Sequence, residues 1–269
     1  MTTTRIAIAG LGAIGKTLAK RIAGGTIPGT QLACIASGDV AKARAWLDGE
    51  GIDVPVVGLE AFPDHADLAV ECAPAAIIGE ICTPMLTSGK TVMVLSCGAL
   101  LPRPELIELA KTHGGQIIVP TGALLGLDAV TAAAEGTIHS VRMTTRKPPR
   151  GLVGAPYLME KGLDMDKITE PTLIFSGSAR EAARGFPANV NVAVALSLAG
   201  IGPDKTTIDI WADPAVTRNC HEIEVDSDSA KLFLRIENIP SENPKTGRIT
   251  ALSVVAALRK LRAPLRVGT

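Results

Sequence analysis

Over the first 120 residues, short apolar runs alternate with amphipathic stretches, the spacing of strand, helix, strand. "RIAIAG" leads through a glycine turn into "AIGKTLAKRIAGG", whose apolar positions recur at helical spacing. "QLACIAS" follows as a second strand, then the helix "DVAKARAWLDG" with Asp39 placed to cap it. "DLAVECA", the helix around "IIGEICTPMLTSG", "TVMVLSC", the helix "RPELIELAKTHG" and "GQIIVPTG" continue the alternation. Apolar strands separated by helices predict a parallel sheet covered on both faces, a Rossmann-type α/β domain over residues 1–120.

Beyond residue 120 the period changes. "TIHSVRMTTRKPP", "PTLIFSGSA", "TTIDIWADP", "NCHEIEVDS" and "KLFLRIENIP" alternate apolar with polar side chains, which suits a mostly antiparallel sheet with one open face. "DSDS" marks a hairpin between the last two, and the helices "LLGLDAVTAAAEG" and "NVNVAVALSLAG" interrupt the series. The expectation is an α+β substrate domain over residues 121–242. Residues 243–269 contain "NPKTGRITALSVVAALRKL", whose spacing predicts a C-terminal helix packing back on the first domain.

Lys plus Arg number 27 and Asp plus Glu 27, so no net field draws nucleic acid or an anionic membrane. No apolar run is long enough to span a bilayer, and no charged leader precedes an apolar segment, so the expectation is a soluble cytoplasmic protein. The 5 cysteines, Cys34, Cys72, Cys82, Cys97 and Cys220, are odd in number and contain no CxxC pair. That argues against a disulfide framework and a zinc site, so no metal is expected and the thiols read as reduced packing residues.

The chemistry begins at Gly10, Gly12 and Gly15, a GxGxxG immediately after the first strand. The first glycine makes the turn, the second lets the backbone approach a pyrophosphate, and the third brings the helix close to the strand. Ala13 and Ile14 open that helix, where free N–H groups favour phosphate. A dinucleotide cofactor follows, and the end of the second strand bears on which one. An acid there holds the ribose hydroxyls of NAD, but the sequence offers "ASGD": Ser37, then Gly38, with Asp39 beyond. Ser37, Lys42 and Arg44 suit a 2′-phosphate, while the competing reading makes Asp39 a helix cap and leaves the cations solvated. NAD and NADP both stay open. The other strands end in "ECAPA", "SCGAL" and "PTGALLG", which brings in Cys72, Ala73, Ser96 and Ala123 as candidates at the cofactor end of the sheet.

In the second domain, Asn189 and Asn191 begin an otherwise apolar helix. Asn189 reads either as an N-cap or as an amide presented to cofactor or substrate. His221 falls on the apolar side of its strand. An imidazole there is either a satisfied core residue or, with an unperturbed pKa of about 6.5, a proton-exchanging catalyst facing the nicotinamide end.

Taken together, "GLGAIG", "VECA", "VLSCGAL", "VPTGALLGLDAV", "TRKPP", "FPANVNVAVALSLAG", "NCHEIEVD" and "ENPKTGRITALSVVAALRKL" resemble the L-aspartate dehydrogenase family over nearly the whole chain. The stretch from Phe186 through His221 to Leu258 is more specific than the glycine motif. The resemblance implies a Rossmann-like first domain and a substrate pocket in the second. It makes His221 the active-site residue, with Ala123 and Asn189 at cofactor-binding positions. It implies conversion of L-aspartate to iminoaspartate and then oxaloacetate plus ammonia with NAD or NADP, feeding NAD biosynthesis in some organisms. In that chemistry His221 is the candidate general base for water activation. Asn191, Arg146, Lys147 and Lys245 are the candidates to meet the substrate and its carboxylates. A homodimer is expected from the open sheet face.

Two other classes compete. Dihydrodipicolinate reductase and homoserine dehydrogenase share the two-domain plan, but the paired histidines and following lysine of the former are missing from this sequence. A non-enzymatic dinucleotide sensor would use the glycine turn without His221 and would carry a basic partner-binding segment, which the sequence does not contain.

Overall fold

The computed structural model describes residues 3–240 and 247–268. They fall into two units, one running to Pro120 and taking in Ala251–Arg266, the other built on Thr121–Thr250. The first unit alternates β1 (Thr4–Ala9), α1 (Ala13–Ala23), β2 (Thr30–Ala36), α2 (Val40–Gly49) and the short α3 (Phe62–His65). It continues with β3 (Leu68–Glu71), α4 (Ile78–Thr87), β4 (Thr91–Val94), α5 (Pro104–His113) and β5 (Gln116–Ile118). The strands lie in the order β2-β1-β3-β4-β5 and every neighbouring pair is parallel. The order reverses direction at β1 and β3, so the turn leaving β1 stands at the crevice where open α/β sheets bind ligands.

Ile6, Ile8, Leu18, Ile22, Leu32 and Ile35 form the centre of this unit's core. Val254, Val255 and Leu258 of the C-terminal helix Arg248–Arg262 join the same cluster. Polar contacts fix that helix further: Arg262 Nε donates to Thr4 Oγ1 at 2.9 Å and Arg259 to the Thr26 carbonyl at 2.8 Å.

The second unit contains α6 (Leu127–Ala134), β6 (Ile138–Lys147), α7 (Pro156–Lys161), β7 (Thr172–Ser178), α8 (Ala179–Gly185) and α9 (Asn191–Ala199). β8 (Thr206–Ala212), β9 (Asn219–Ser227) and β10 (Lys231–Asn238) complete a sheet of order β10-β9-β6-β8-β7. Its pairs are antiparallel except β6 with β8, so the sheet is mixed. The parallel pair arises because the chain crosses through β7, α8 and α9 before returning as β8, the long connection that parallel strands require.

Two short helices, α7 and α8, went unpredicted. α8 is opened by a capping box in which Ser178 Oγ accepts the Glu181 N–H and the Glu181 carboxylate accepts the Ser178 N–H. At 7 residues it is too short for a periodic pattern. One sheet face buries Val141, Met143, Ile208, Ile210, Ile223 and Val225. The other carries Arg142, Glu222, Glu224 and Arg235, with Phe233 74% exposed among them. Among the described residues, no helix is long and apolar enough to cross a membrane.

Leu258 is completely buried in the first unit's core. Leu258→Ala should therefore cost about 2–5 kcal/mol in urea unfolding, the range for a large apolar side chain removed from a packed site. A loss near zero would show that the C-terminal helix contributes nothing to that core.

Candidate active site

The glycine turn after β1 separates what the chain needs from what a ligand needs. Gly10 has φ +97°, and a Cβ there would lie 2.6 Å from the Cys72 carbonyl oxygen. A Cβ on Gly15 would lie 2.0 Å from the Gly10 carbonyl. Both positions are glycine for internal reasons. Gly12 is different: its φ is −72°, open to any residue, and a Cβ would meet nothing within 4 Å. The space kept clear there fits a pyrophosphate lying against the backbone. Ala13 and Ile14 begin α1, and no side chain caps this end of the helix, which suits a phosphate on its first N–H groups.

After β2, the Ser37 hydroxyl accepts the Asp39 N–H at 3.4 Å, and the Asp39 carboxylate accepts the Lys42 N–H at 2.9 Å. Asp39 is thus the helix cap, and the Arg44 guanidinium donates to the Val54 carbonyl. At the ends of β3 and β4, Cys72 N–H donates to the Ala9 carbonyl, while the Ser96 N–H and hydroxyl both donate to Glu71. Burial pushes Cys34 up to about 11 and Cys82 to about 12, and raises Cys72 as well. None of these thiols is poised as a thiolate.

In the second unit β6 and β9 bring the basic groups together. Thr145 pairs with His221 across the ladder, and Lys147 lies two residues on, so all three share the buried face. A 2.8 Å hydrogen bond joins Thr145 Oγ1 to His221 Nδ1. Nε2 has no protein partner among the described residues. Lys147 is 3% exposed, and its Nζ donates to the Asn189 carbonyl at 2.9 Å and to Asn189 Oδ1 at 3.2 Å. Burial lowers Lys147 to about 8. Burial first, and the Lys147 charge second, push His221 down to about 3. The imidazole is therefore neutral near pH 7, not half-titrated as its ordinary pKa suggests.

Two readings change and one stays untested. Asn189 is not the N-cap of α9: Val190 holds that position, and the Asn189 side chain goes to Lys147. Arg146 faces away from His221, because consecutive strand residues point to opposite sides. It stacks on the Trp211 ring at 4.7 Å and pairs with Asp213. Lys245 lies outside the described residues. Asn191 begins α9, and the Ala123 carbonyl accepts the Asn238 amide at 2.9 Å. A cleft of about 300 Å³ beside α7, lined by Val153, Leu158, Met159 and Leu163, contains none of these groups.

Sequence reading missed Glu71, Thr145 and Asn238. Only Glu71 left a signal, an acid closing an otherwise apolar strand. The other two depend on strand pairing that local pattern does not carry.

A parallel sheet with a cleared glycine turn, in a chain that also carries buried basic groups on a second sheet, defines the class of two-domain dinucleotide-dependent oxidoreductases. Residues 10–120 match the family model described as homoserine dehydrogenase, NAD binding domain, and residues 128–261 match aspartate dehydrogenase, C-terminal. The chain is 61% identical to L-aspartate dehydrogenase 3 of Bordetella bronchiseptica, covering 98% of this chain and 97% of that one. It is 56% identical to L-aspartate dehydrogenase of Bradyrhizobium diazoefficiens, covering 98% and 94%. Aspartate dehydrogenase from Thermotoga maritima superposes with a TM-score of 0.74 at 26% identity, covering 98% and 99%. The chain belongs to the L-aspartate dehydrogenase family.

The contrast within the glycine turn is testable. Gly15→Ala should cost at least about 2 kcal/mol through its clash with the turn. Gly12→Ala should melt within a few degrees of wild type yet bind dinucleotide at least about tenfold more weakly, a change of roughly 1.4 kcal/mol. Equal dinucleotide affinity in Gly12→Ala would assign the open space to no ligand.

Proposed function

We propose that this chain oxidatively deaminates L-aspartate to iminoaspartate, hydrolysed to oxaloacetate and ammonia, with NAD or NADP, and that the reaction is reversible. The observation that carries the reading is the buried face holding Lys147–Asn189 beside Thr145–His221, in a chain 61% identical to a protein named L-aspartate dehydrogenase. When bound, the oxidised dinucleotide supplies the hydride acceptor. Gly10, Gly12, Ala13, Ile14 and Gly15 would hold its phosphates, and Ser37 its adenosine ribose. Cys72, Ala73, Ala123 and Asn189 would hold its nicotinamide half.

Lys147 provides a buried positive charge for a substrate carboxylate, and Asn191 adds a polar contact. Hydride leaves the α-carbon only after the substrate ammonium has lost a proton, which frees the nitrogen lone pair. His221 acts in hydrolysis. Its neutral Nε2 takes a proton from the water as the water oxygen bonds to the iminium carbon and the C=N electron pair moves to nitrogen. The imidazolium then returns that proton to the nitrogen, and the new hydroxyl gives up its own proton as the C–N bond breaks to leave the carbonyl and ammonia. Thr145 holds the ring for that step. Five cysteines, none of them in a disulfide, fit a reducing cytoplasm. The open sheet face around Phe233 favours a homodimer, and a role in NAD biosynthesis belongs to the same reading.

Absorbance at 340 nm should rise when purified protein receives L-aspartate with NAD or NADP, but not with D-aspartate, L-glutamate or L-homoserine. The ratio between the cofactors measures what "ASGD" selects. His221→Ala should lose about 10²-fold or more in kcat, the lower end for a removed acid–base group, and undiminished turnover would return His221 to the core.

Lys147 supplies a second check. Its lowered pKa means that the charge is present below about 8 and lost above it. The KM for L-aspartate should therefore rise as pH passes from 7 to 9.5. A flat KM across that range would remove Lys147 from carboxylate binding.

A further inference from the structure

Glu71 ends β3 and is 1% exposed, and no cation pairs with its carboxylate among the described residues. Burial pushes its pKa up against the opposing pull of hydrogen bonds, so the position costs desolvation that an apolar residue would avoid. The bonds explain what is gained. β4 stops at Val94, and the next two N–H groups have left the ladder. Leu95 N–H donates to Glu71 Oε2 at 3.0 Å and Ser96 N–H to the same oxygen at 2.8 Å. The Ser96 hydroxyl donates to Oε1 at 3.1 Å, and the Ala73 N–H reaches the same carboxylate.

One side chain thus ties the loop after β3 to the loop after β4. The glycine turn is locked to the first of these, since a Gly10 Cβ would stand 2.6 Å from the Cys72 carbonyl and 3.1 Å from Ala73 Cα. Three segments leaving the carboxyl edge of the sheet, after β1, β3 and β4, form one connected set with Glu71 beneath it. Ladder bonds of β3 to β1 and β4 already secure the strand itself, so the carboxylate governs the loops rather than the strand.

We propose that Glu71 is a positioning residue of the dinucleotide cradle, fixing the loops after β3 and β4 against the glycine turn and so setting dinucleotide affinity. The proposal rests on the reading that this unit binds a dinucleotide. It also gives Ser96 a definite part: its amide and hydroxyl are turned inward to Glu71, so it shapes the cradle rather than offering those groups to the cofactor.

The test titrates NADH and NADPH onto the full-length wild type, Glu71→Gln, Glu71→Ala and Glu71→Asp. Cofactor fluorescence gives Kd, and thermal unfolding is followed on the same samples. Glu71→Gln keeps an oxygen for the two amides and a donor for the Ser96 hydroxyl, so its Kd should stay within about threefold of wild type. Glu71→Ala orphans the loop donors, and Glu71→Asp is too short to reach them all. Both should raise Kd by about tenfold or more, roughly 1.4 kcal/mol. Their dinucleotide KM should rise in step, while kcat at saturating cofactor falls less than about threefold.

A folded Glu71→Ala or Glu71→Asp protein with wild-type Kd overturns the proposal, whatever its melting temperature. If Glu71→Ala does not fold, the contrast between Asp and Gln decides the matter in the same way. A wild type that binds neither dinucleotide removes the cofactor reading itself and this proposal with it. Normal wild-type binding with unchanged variants removes only the role of Glu71.

Discussion

A buried ammonium with no carboxylate to pair with among the described residues is the constraint around which the second unit is arranged. Lys147 is 3% exposed, and the groups meeting its Nζ are the carbonyl and amide oxygens of Asn189. Neutral dipoles compensate a buried charge only partly, which is why its pKa falls to about 8. A fold selected for stability alone would place an apolar side chain there. On the proposed function, the anion missing from this site would be the one a dicarboxylate substrate brings. The turn from Phe186 to Asn189 is fixed by the same interaction, its Asn189 N–H donating to the Phe186 carbonyl while its oxygens hold Lys147.

The first unit follows the same logic with the sign reversed. Glu71 is a buried carboxyl group met by backbone amides and one hydroxyl, with no cation beside it among the described residues. Gly12 is a residue whose lack of a side chain serves no internal contact. Each departs from what packing alone prefers, and each stands at the carboxyl edge of the parallel sheet, where ligands of this fold class bind. Gly10 and Gly15 are different in kind. Their glycine identity is enforced by backbone approaches of 2.6 and 2.0 Å that a Cβ would create.

Local pattern carried much of the architecture because apolar periodicity reports burial directly. The parallel sheet, the Asp39 cap and the packing of the C-terminal helix on the first core are all consequences of one-dimensional spacing. The parallel pairing of β6 with β8 was not legible, since register between residues 65 positions apart, such as Val141 and Thr206, leaves no local trace. At the site, His221 was visible as a polar residue on an apolar face. Its partner Thr145 was not, because that contact exists only through strand pairing. Arg146 and Lys147 look equivalent as adjacent cations in "TRKPP". Alternation along β6 sends one to Trp211 and Asp213 on the open face and buries the other beside Asn189.

That separation bears on how His221 works. Burial, with a contribution from the Lys147 charge, holds the imidazole at about 3, too weak a base to keep a proton for long. A substrate carboxylate set against Lys147 would offset the charge that contributes to this depression, and a second carboxylate near the ring would add attraction for a proton. The proton affinity of His221 would then rise only in the loaded site. Neutral in the empty protein, the imidazole accepts no proton from bulk water at pH 7. On the proposed mechanism, with the dianion bound it would take one from the water attacking the imine. On that reading the incomplete compensation of Lys147 would couple substrate binding to base strength through the smaller of the two causes of the depression, which two independently satisfied side chains could not do.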